Sequence, residues 1–149
     1  FNGGCVTMAA GSGINVLVDP IAGTATTAGV LVGARWTNSE GEIKFGQHYD
    51  GVSTNSDAYA FVALASNTVF RVQGTIAFIN AHRGVAYNTS GVAGSTITGN
   101  SDLACTNGTV GANAPLVVID VVNDGKQSTS ATPDLLVRFV DSAIQTLIG

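Results

Sequence analysis

Short apolar runs, each ended by Gly, Pro, Asn or Asp, recur along the 149 residues of the chain. The runs are rich in Val, Ile, Phe and Thr, residues that favour β-strands. Nineteen glycines oppose long helices, because each interior glycine costs about 1 kcal/mol relative to alanine. The pattern predicts an all-β fold, an antiparallel β-sandwich or barrel with long Gly/Ser/Thr-rich loops and little helix. The predicted strands are residues 14–20, 28–37, 42–46, 58–65, 68–73, 75–80, 84–89, 114–124 and 134–141.

The length of the chain predicts one β-rich domain that spans residues 1–149. Two turns are predicted from their residue types, "SEGE" at 39–42 and "NDGK" at 123–126. The pair Asp-Gly is typical of a tight hairpin turn, since both residues tolerate positive φ. The tail 141–149 predicts at most one short helical turn.

The segment "AYNTSGVAGSTITGNSDL", residues 86–103, is rich in small polar residues, and Asp102 is its one charged residue. Small β-formers with hydroxyl groups suit an extended strand that pairs main chain to main chain with a neighbour. The sequence therefore predicts that residues 86–113 form an extended arm across a neighbouring subunit. An ordinary long surface loop remains the alternative.

Charged residues make up 11% of the chain, against about 25% in typical soluble domains. A surface with so little charge is expected to be covered by partners. The six basic residues stand apart in the sequence, which predicts no direct binding of nucleic acid. The apolar runs are shorter than the roughly 18 residues of a spanning helix, which predicts no membrane segment.

Catalytic and metal-binding patterns are not found in the sequence. It contains no G-x-S-x-G nucleophile elbow, no C-x-x-C pair and no EF-hand loop. We therefore expect a protein that is not an enzyme and that needs no cofactor and no metal. An enzyme that uses His48 or His82 is the alternative, because catalytic triads are defined by geometry and not by sequence order.

Cys5 and Cys105 are the only cysteines, and the sequence leaves two states open. A disulfide between them would close a loop of about 100 residues and stabilise the fold by about 4.7 kcal/mol in the chain-entropy model. Two buried thiols are the other state, since an unoxidised cysteine behaves as a small hydrophobic residue.

Trp, Tyr and Arg are enriched at the centres of protein interfaces. Trp36 follows Arg35 at the end of a predicted strand, and Tyr49 follows His48 in the turn-like "GQHYDG". Packing of Trp36 at the edge of the core is the alternative. The full set of interface candidates also includes residues in or beside the polar segment: Arg35, Trp36, His48, Tyr49, Arg83, Tyr87 and Thr98.

Four elements in order, "FRVQ" (70–73), "GTIA" (74–77), "TGNS" (98–101) and residues 117–122, resemble the capsid decoration proteins of tailed phages, which cement and stabilise the head. "GTATTAGVLVGARW" at 23–36 is similar to a small hairpin of the same proteins. Capsid-derived versions of this segment often end in an acidic or His-containing tail, whereas this chain ends in "DSAIQTLIG".

The resemblance implies a virion structural protein on the outer surface of the capsid. It would stabilise the shell by bridging neighbouring major capsid subunits, and its partners would be the major capsid protein and copies of itself, as in a trimer. The alternative is a secreted or cell-surface β-sandwich binding module of the carbohydrate or adhesin type, which predicts a Cys5–Cys105 disulfide and a groove lined by exposed aromatic rings.

Overall fold

The computed structural model describes residues 3–7, 27–65, 68–91, 94–95, 97–98, 100–110, 114–122 and 130–140. This part of the chain is all-β, as predicted, and its one helical element is a 3-10 turn at Asn80–His82. None of its helical segments is long enough or apolar enough to span a membrane. The strands are β1 (Cys5–Thr7), β2 (Thr27–Thr37), β3 (Ile43–Gly46), β4 (Ser56–Leu64), β5 (Phe70–Gly74), β6 (Ala86–Ser90), β7 (Ala104–Val110), β8 (Leu116–Val121) and β9 (Asp134–Phe139).

The first four strands form an antiparallel sheet around β2. Strand β4 pairs with one edge of β2 from Gly29 to Thr37. The other edge of β2 pairs with β1 near its start and with β3 near its end. The long strand β2 is therefore the centre of the sheet, and β4 is one of its edges.

The turn between β2 and β3 is organised by Asn38. Its side-chain oxygen accepts hydrogen bonds from the backbone N–H groups of Glu40 and Glu42, at 3.1 and 2.8 Å. Gly41 has a φ of +81°, a conformation in which a Cβ would be strained. The turn predicted at residues 39–42 is confirmed.

The other five strands close into a barrel in the order β5-β7-β6-β8-β9, with β9 returning to β5. Its strand pairs are antiparallel except β5 and β7, which are parallel at Gln73–Ala104 and Gly74–Cys105. Arg71 on β5 forms an ion pair with Asp134 on β9. The barrel thus combines an antiparallel framework with one parallel seam.

The core fills the barrel and continues into one end of the sheet. The barrel contributes buried residues such as Leu116, Val118, Leu135 and Val137, none more than 2% exposed. Cys5 and Ala65 belong to the same cluster, and Val30 packs against it. Cys5 pairs with Val30, so the end of the sheet that carries them packs on the barrel. Residue 35 is five positions further along β2, about 16 Å away at the rise of a strand.

The predicted strands at 28–37, 42–46, 58–65, 68–73, 84–89, 114–124 and 134–141 correspond to β2–β6, β8 and β9. The strand predicted at 75–80 is wrong: this stretch is bends and loop before the 3-10 turn. The backbone N–H groups of Thr75 and Ile76 donate to the side-chain oxygen of Asn107, and the Thr75 N–H also donates to the Cys105 carbonyl at 3.0 Å, so the regular pairing with β7 ends here.

Two parts of the segment predicted as an arm, 86–113, are strands of the barrel. Residues 86–90 are β6 and residues 104–110 are β7, and the two strands pair with each other. Strand β7 was not among the predicted strands, and neither was the short β1. The predicted strand at 14–20, the turn at 123–126 and the tail at 141–149 lie outside the described residues.

Candidate functional site

One face of the four-stranded sheet carries large apolar side chains that are exposed. Phe45 is 70% exposed, Tyr59 59%, Ile43 55% and Phe61 49%. The strand register places Phe45 and Tyr59 directly beside Arg35, one on each neighbouring strand. Because residues opposite each other across a ladder share a face, and so do alternate residues along a strand, all five side chains lie on one side of the sheet. We call this surface, formed by Arg35, Ile43, Phe45, Tyr59 and Phe61, the apolar face.

The aromatic rings of the apolar face are held by their neighbours in the sheet. Phe61 is opposite Gly33, and a Cβ on that glycine would lie 3.6 Å from the Phe61 ring. The guanidinium of Arg35 lies 5.6 Å from the centroid of the Tyr59 ring, within the range of a cation–π interaction. The face therefore combines apolar rings with one cation.

Arg35 has no carboxylate partner among the described residues. Ion pairs in this part of the chain join Lys44 to Glu42, Arg71 to Asp134 and Arg83 to Asp120. The Glu42–Lys44 pair, 2.6 Å between its charged atoms, is at the hairpin that borders the face. Hydrogen bonds from Lys44 and Asn38 lower the pKa of Glu42. Within the described residues, the Arg35 guanidinium thus contacts the Tyr59 ring and not a carboxylate.

An open groove of about 320 Å³ lies near Trp36, which follows Arg35 in the alternating strand β2 and so faces the other side of the sheet. The Trp36 ring is 8% exposed and packs edge-on against Tyr49, with ring centroids 5.7 Å apart. Its indole Nε1 is buried and has no hydrogen-bond partner among the residues that the structure describes. The groove is lined by Trp36, Gly46, Gln47, His48, Asp50, Ile97 and Thr98.

The predicted interface residues do not form one surface. Trp36, His48 and Thr98 meet at the groove with Tyr49 beside them, whereas Arg35 is on the apolar face. Trp36 is buried at the edge of the core, the alternative that the sequence left open, and the ring of Tyr87, which is 4% exposed, packs in the interior.

Arg83 is exposed on the barrel and is bound by neighbouring residues of the same chain. Its guanidinium binds Asp120 at 2.6 Å and Asn80 at 2.7 Å, and it lies 5.3 Å from the centroid of the Phe78 ring. The hydrogen bond from Arg83 is the main cause of the lowered pKa of Asp120. Arg83 therefore fastens the 3-10 turn to β8.

A buried polar cluster joins Asn107 to His82. The Asn107 side-chain oxygen accepts from Thr75 and Ile76, and its NH₂ group donates to the carbonyl of Ile76 at 2.9 Å. The same NH₂ lies 3.3 Å from Nδ1 of His82, which also accepts from the Ile79 N–H. All four hydrogen-bonding positions of the amide are occupied, so the cluster holds the loop after β5 in place.

His82 is 6% exposed, and its Nδ1 is committed to this cluster. In the part of the chain that the structure describes, no three His, Cys, Asp or Glu side chains are arranged to hold a metal ion. Asn107 is the first residue of "NGT", which matches the N-glycosylation pattern N-x-[ST]. The Asn107 side chain is fully buried, so it is closed to glycosylation in the fold.

Cys5 and Cys105 are both buried and are present as thiols, without a disulfide. Both belong to the core cluster. Burial raises the pKa of the Cys105 thiol to about 12, so it stays protonated and unreactive at neutral pH. The structure thus has the second of the two states that the sequence left open.

Phe45, Tyr59 and Phe61, which form most of the apolar face, were not among the predicted interface residues.

Comparison with protein families, with curated proteins and with solved structures finds no match for this chain.

Proposed function

We propose that the protein is a non-catalytic decoration protein that binds the outer surface of a tailed-phage capsid and bridges neighbouring major capsid subunits. The observation that carries the proposal is the apolar face, where three aromatic rings are each about half exposed or more. The virion setting comes from the resemblance of residues 70–77, 98–101 and 117–122 to phage decoration proteins.

The size of the apolar face supports a docking role. Taking about 200 Å² for a whole aromatic side chain, Phe45, Tyr59 and Phe61 together expose roughly 350 Å². Isolated apolar residues are normal on a protein surface, but a contiguous patch of a few hundred Å² marks an interaction site. Arg35 adds a cation that favours a partner with an acidic group among apolar ones.

The same estimate indicates how such a protein would work on a capsid. Burial of roughly 350 Å² is worth about 9 kcal/mol before costs. Association itself costs about 4–15 kcal/mol, so one copy that used this face alone would bind weakly. Many copies on a repeating shell, each contacting two coat subunits, would add these modest contacts together. Decoration of a lattice therefore fits the face better than tight binding by a single copy.

The buried histidine also fits a structural role. His82 lies in the interior and binds Ile79 and Asn107, so substrate could not reach it without opening the fold. This geometry favours the structural protein over an enzyme built on His82.

The test is co-sedimentation of the purified chain with undecorated heads of the phage that encodes it. Saturable binding at a fixed ratio to coat protein is expected. Phe45→Ser should weaken binding by about 10-fold or more, because a buried Phe contributes about 2 kcal/mol. Val110→Ser is the matched control, since Val110 is 66% exposed but lies on barrel strand β7.

Two results would contradict the proposal. A chain that ignores heads and is retained on a glycan column would identify the secreted or cell-surface binding module instead. Equal binding of the Phe45→Ser and Val110→Ser variants would show that the apolar face is not the surface that meets the capsid.

A further inference from the structure

Strand β4 has one paired edge and one that is open among the described residues. It runs for nine residues, Ser56–Leu64, and pairs with β2 alone. Its side chains are exposed from Ser56 to Phe61. The backbone N–H and C=O groups along the outer edge are thus a template for another strand.

Most of this edge lacks the devices by which proteins prevent strand addition. Residues 58–65, "AYAFVALA", contain no charge and no proline. Natural edge strands are commonly protected by a lysine, a proline, an inward-pointing charge or a very short length. A β-bulge is another such device, and the pairing with β2 has a register shift opposite residues 56–59, where Asp57 has a φ of +49°. This bulge is confined to the start of the strand, so residues 59–64 remain unprotected.

We propose that the open edge of β4 pairs with β4 of a second copy of this chain. The two strands would run antiparallel about a two-fold axis at Ala60, and the two four-stranded sheets would join into one sheet of eight strands. This pairing is self-complementary, as a closed two-fold interface requires. It yields a dimer, in place of the trimer that the resemblance implies.

The side chains of β4 favour a second copy as the occupant. With the axis at Ala60, Tyr59 lies opposite Phe61 of the second copy, and Phe61 lies opposite Tyr59 of the second copy. Cross-strand aromatic pairs of this kind stabilise sheets. Asp57 lies opposite Ala63 of the second copy, so no like charges meet across the interface.

The position of Arg35 distinguishes edge pairing from stacking of the two apolar faces. In the edge-paired dimer the two Arg35 residues are separated by both β4 strands, three strand spacings or about 14 Å. This exceeds the Debye length of about 8 Å at physiological salt, so their repulsion is screened. Stacked faces would instead bury both guanidinium groups without a carboxylate partner, which is strongly unfavourable.

Edge pairing leaves the apolar faces of both copies open on the same side of the joined sheet. A dimer would therefore present two such faces to a capsid, which increases the effective affinity for a repeating surface. This last step rests on the proposed function, whereas the dimer itself does not.

The test is the solution mass of the chain by light scattering over a range of concentrations. The expected mass is twice the 15.0 kDa of one chain. Ala60→Lys and Ala60→Glu should each give the monomer mass, because each places two like charges at the axis. An equimolar mixture of the two variants should restore the dimer mass, since opposite charges then meet. Val110→Lys on the barrel is the matched control and should remain dimeric.

A native chain that stays monomeric at about 100 μM would overturn the inference, whatever the variants do. Dimeric Ala60→Lys and Ala60→Glu variants would also overturn it. Circular dichroism of each variant checks that the fold is retained. A native monomer that still binds heads would overturn the edge pairing alone, and a native dimer that ignores heads would overturn the proposed function alone.

Discussion

The side-chain amide of Asn107, on barrel strand β7, lies 3.3 Å from the imidazole Nδ1 of His82, at the end of the 3-10 turn. The same amide binds the backbone of Thr75 and Ile76, between β5 and that turn. The Thr75 N–H also donates to the Cys105 carbonyl at 3.0 Å, so this fully buried side chain binds the backbone at the point where the β5–β7 pairing ends.

Asn107→Ala should therefore destabilise the fold far more than its size suggests. It leaves the N–H and C=O of Ile76 without their side-chain partner, and each such loss costs about 1–3 kcal/mol, whereas the Thr75 N–H keeps its hydrogen bond to the Cys105 carbonyl. The shorter side chain also leaves a cavity at a fully buried position. We expect a loss of about 3 kcal/mol or more in the free energy of unfolding, measured by urea denaturation. Thr109→Ala, at an exposed position on the same strand, should change it by less than about 0.5 kcal/mol. Similar values for the two variants would show that the amide is dispensable.

Gly74→Ala and Gly108→Ala form a matched pair of small-to-large substitutions. A Cβ on Gly74 would lie 2.9 Å from both the Asn107 side-chain oxygen and Leu135 Cδ1, two buried groups that cannot move away. A Cβ on Gly108 would lie 2.8 Å from Ile76 Cδ1, the end of a side chain that is 44% exposed and can rotate. We expect a cost of about 1–3 kcal/mol for Gly74→Ala, and less than about 1 kcal/mol for Gly108→Ala. Thermal denaturation of both variants would show which is the less stable. A larger loss of stability in Gly108→Ala than in Gly74→Ala would contradict the packing described.

Cys105 should resist alkylation in the folded protein. Its pKa is raised to about 12 by burial, so the thiolate that reacts with iodoacetamide is scarce at pH 8. Mass spectrometry should show labelling of Cys105 only under unfolding conditions. Rapid labelling of the native protein would mean that the thiol is accessible.

The raised pKa of Cys105 also predicts a loss of stability in alkali. The ordinary thiol pKa of 9.0 applies to the unfolded chain. The stabilisation of the folded state by the protonated, buried thiol is therefore complete below pH 9 and is lost as the pH rises towards 12. Urea denaturation at pH 7 and pH 10.5 should show the decline. Cys105→Ala, which has no thiol at this position, should show a smaller decline, and an equal decline would assign the effect to other groups.

Asp120 should contribute stability that is lost in acid, whereas the contribution of Cys105 is lost in alkali. The hydrogen bond from Arg83 is the main cause of the lowered pKa of Asp120 in the folded state, and the hydrogen bond from the Val121 N–H is the second cause. The stabilisation is therefore present above the ordinary pKa of 3.8 and is lost as the pH falls through the lower folded value. Asp120→Asn should flatten the acid limb of the stability curve, and 0.5 M salt should reduce the difference because both partners are about half exposed. Asp102→Asn is the control, and an equal flattening there would contradict the role of the Arg83 pair.

Hydrophobic alternation and turn residues were sufficient to predict most strands, including β2–β5, and the 39–42 turn. They failed where a distant side chain decides local structure. "TIAFIN" has the composition of a strand, but Asn107, about 30 residues later, takes the backbone N–H groups of its first two residues. Strand β7, "ACTNGTV", was missed because its inward positions include the polar Asn107, whose partners are visible only in three dimensions.

The apolar face shows a second limit of sequence reasoning. Along β4, Tyr59 and Phe61 alternate with alanines, so both faces of the strand read as apolar and the pattern does not say which is buried. The structure leaves both sides of β4 exposed from Ser56 to Phe61, whereas Trp36 and Tyr87, which looked like interface anchors, are buried. Residue type predicted the presence of large rings, but the packing partners of each ring decided which of them reach the surface.

The closure of the barrel has a consequence for how the chain folds during its synthesis. Strand β5 pairs with β9, and the ion pair between Arg71 and Asp134 spans 63 residues. Closing such a long loop before its contacts form is entropically costly, and non-local strand pairing of this kind folds in milliseconds to seconds. The ribosome delivers about 5–20 residues per second, so β5 must wait several seconds for its partner. During that time the first sheet can already be assembled beside an unfinished barrel, and its outer strand β4, which carries no charge after Asp57, is the element most exposed to premature association.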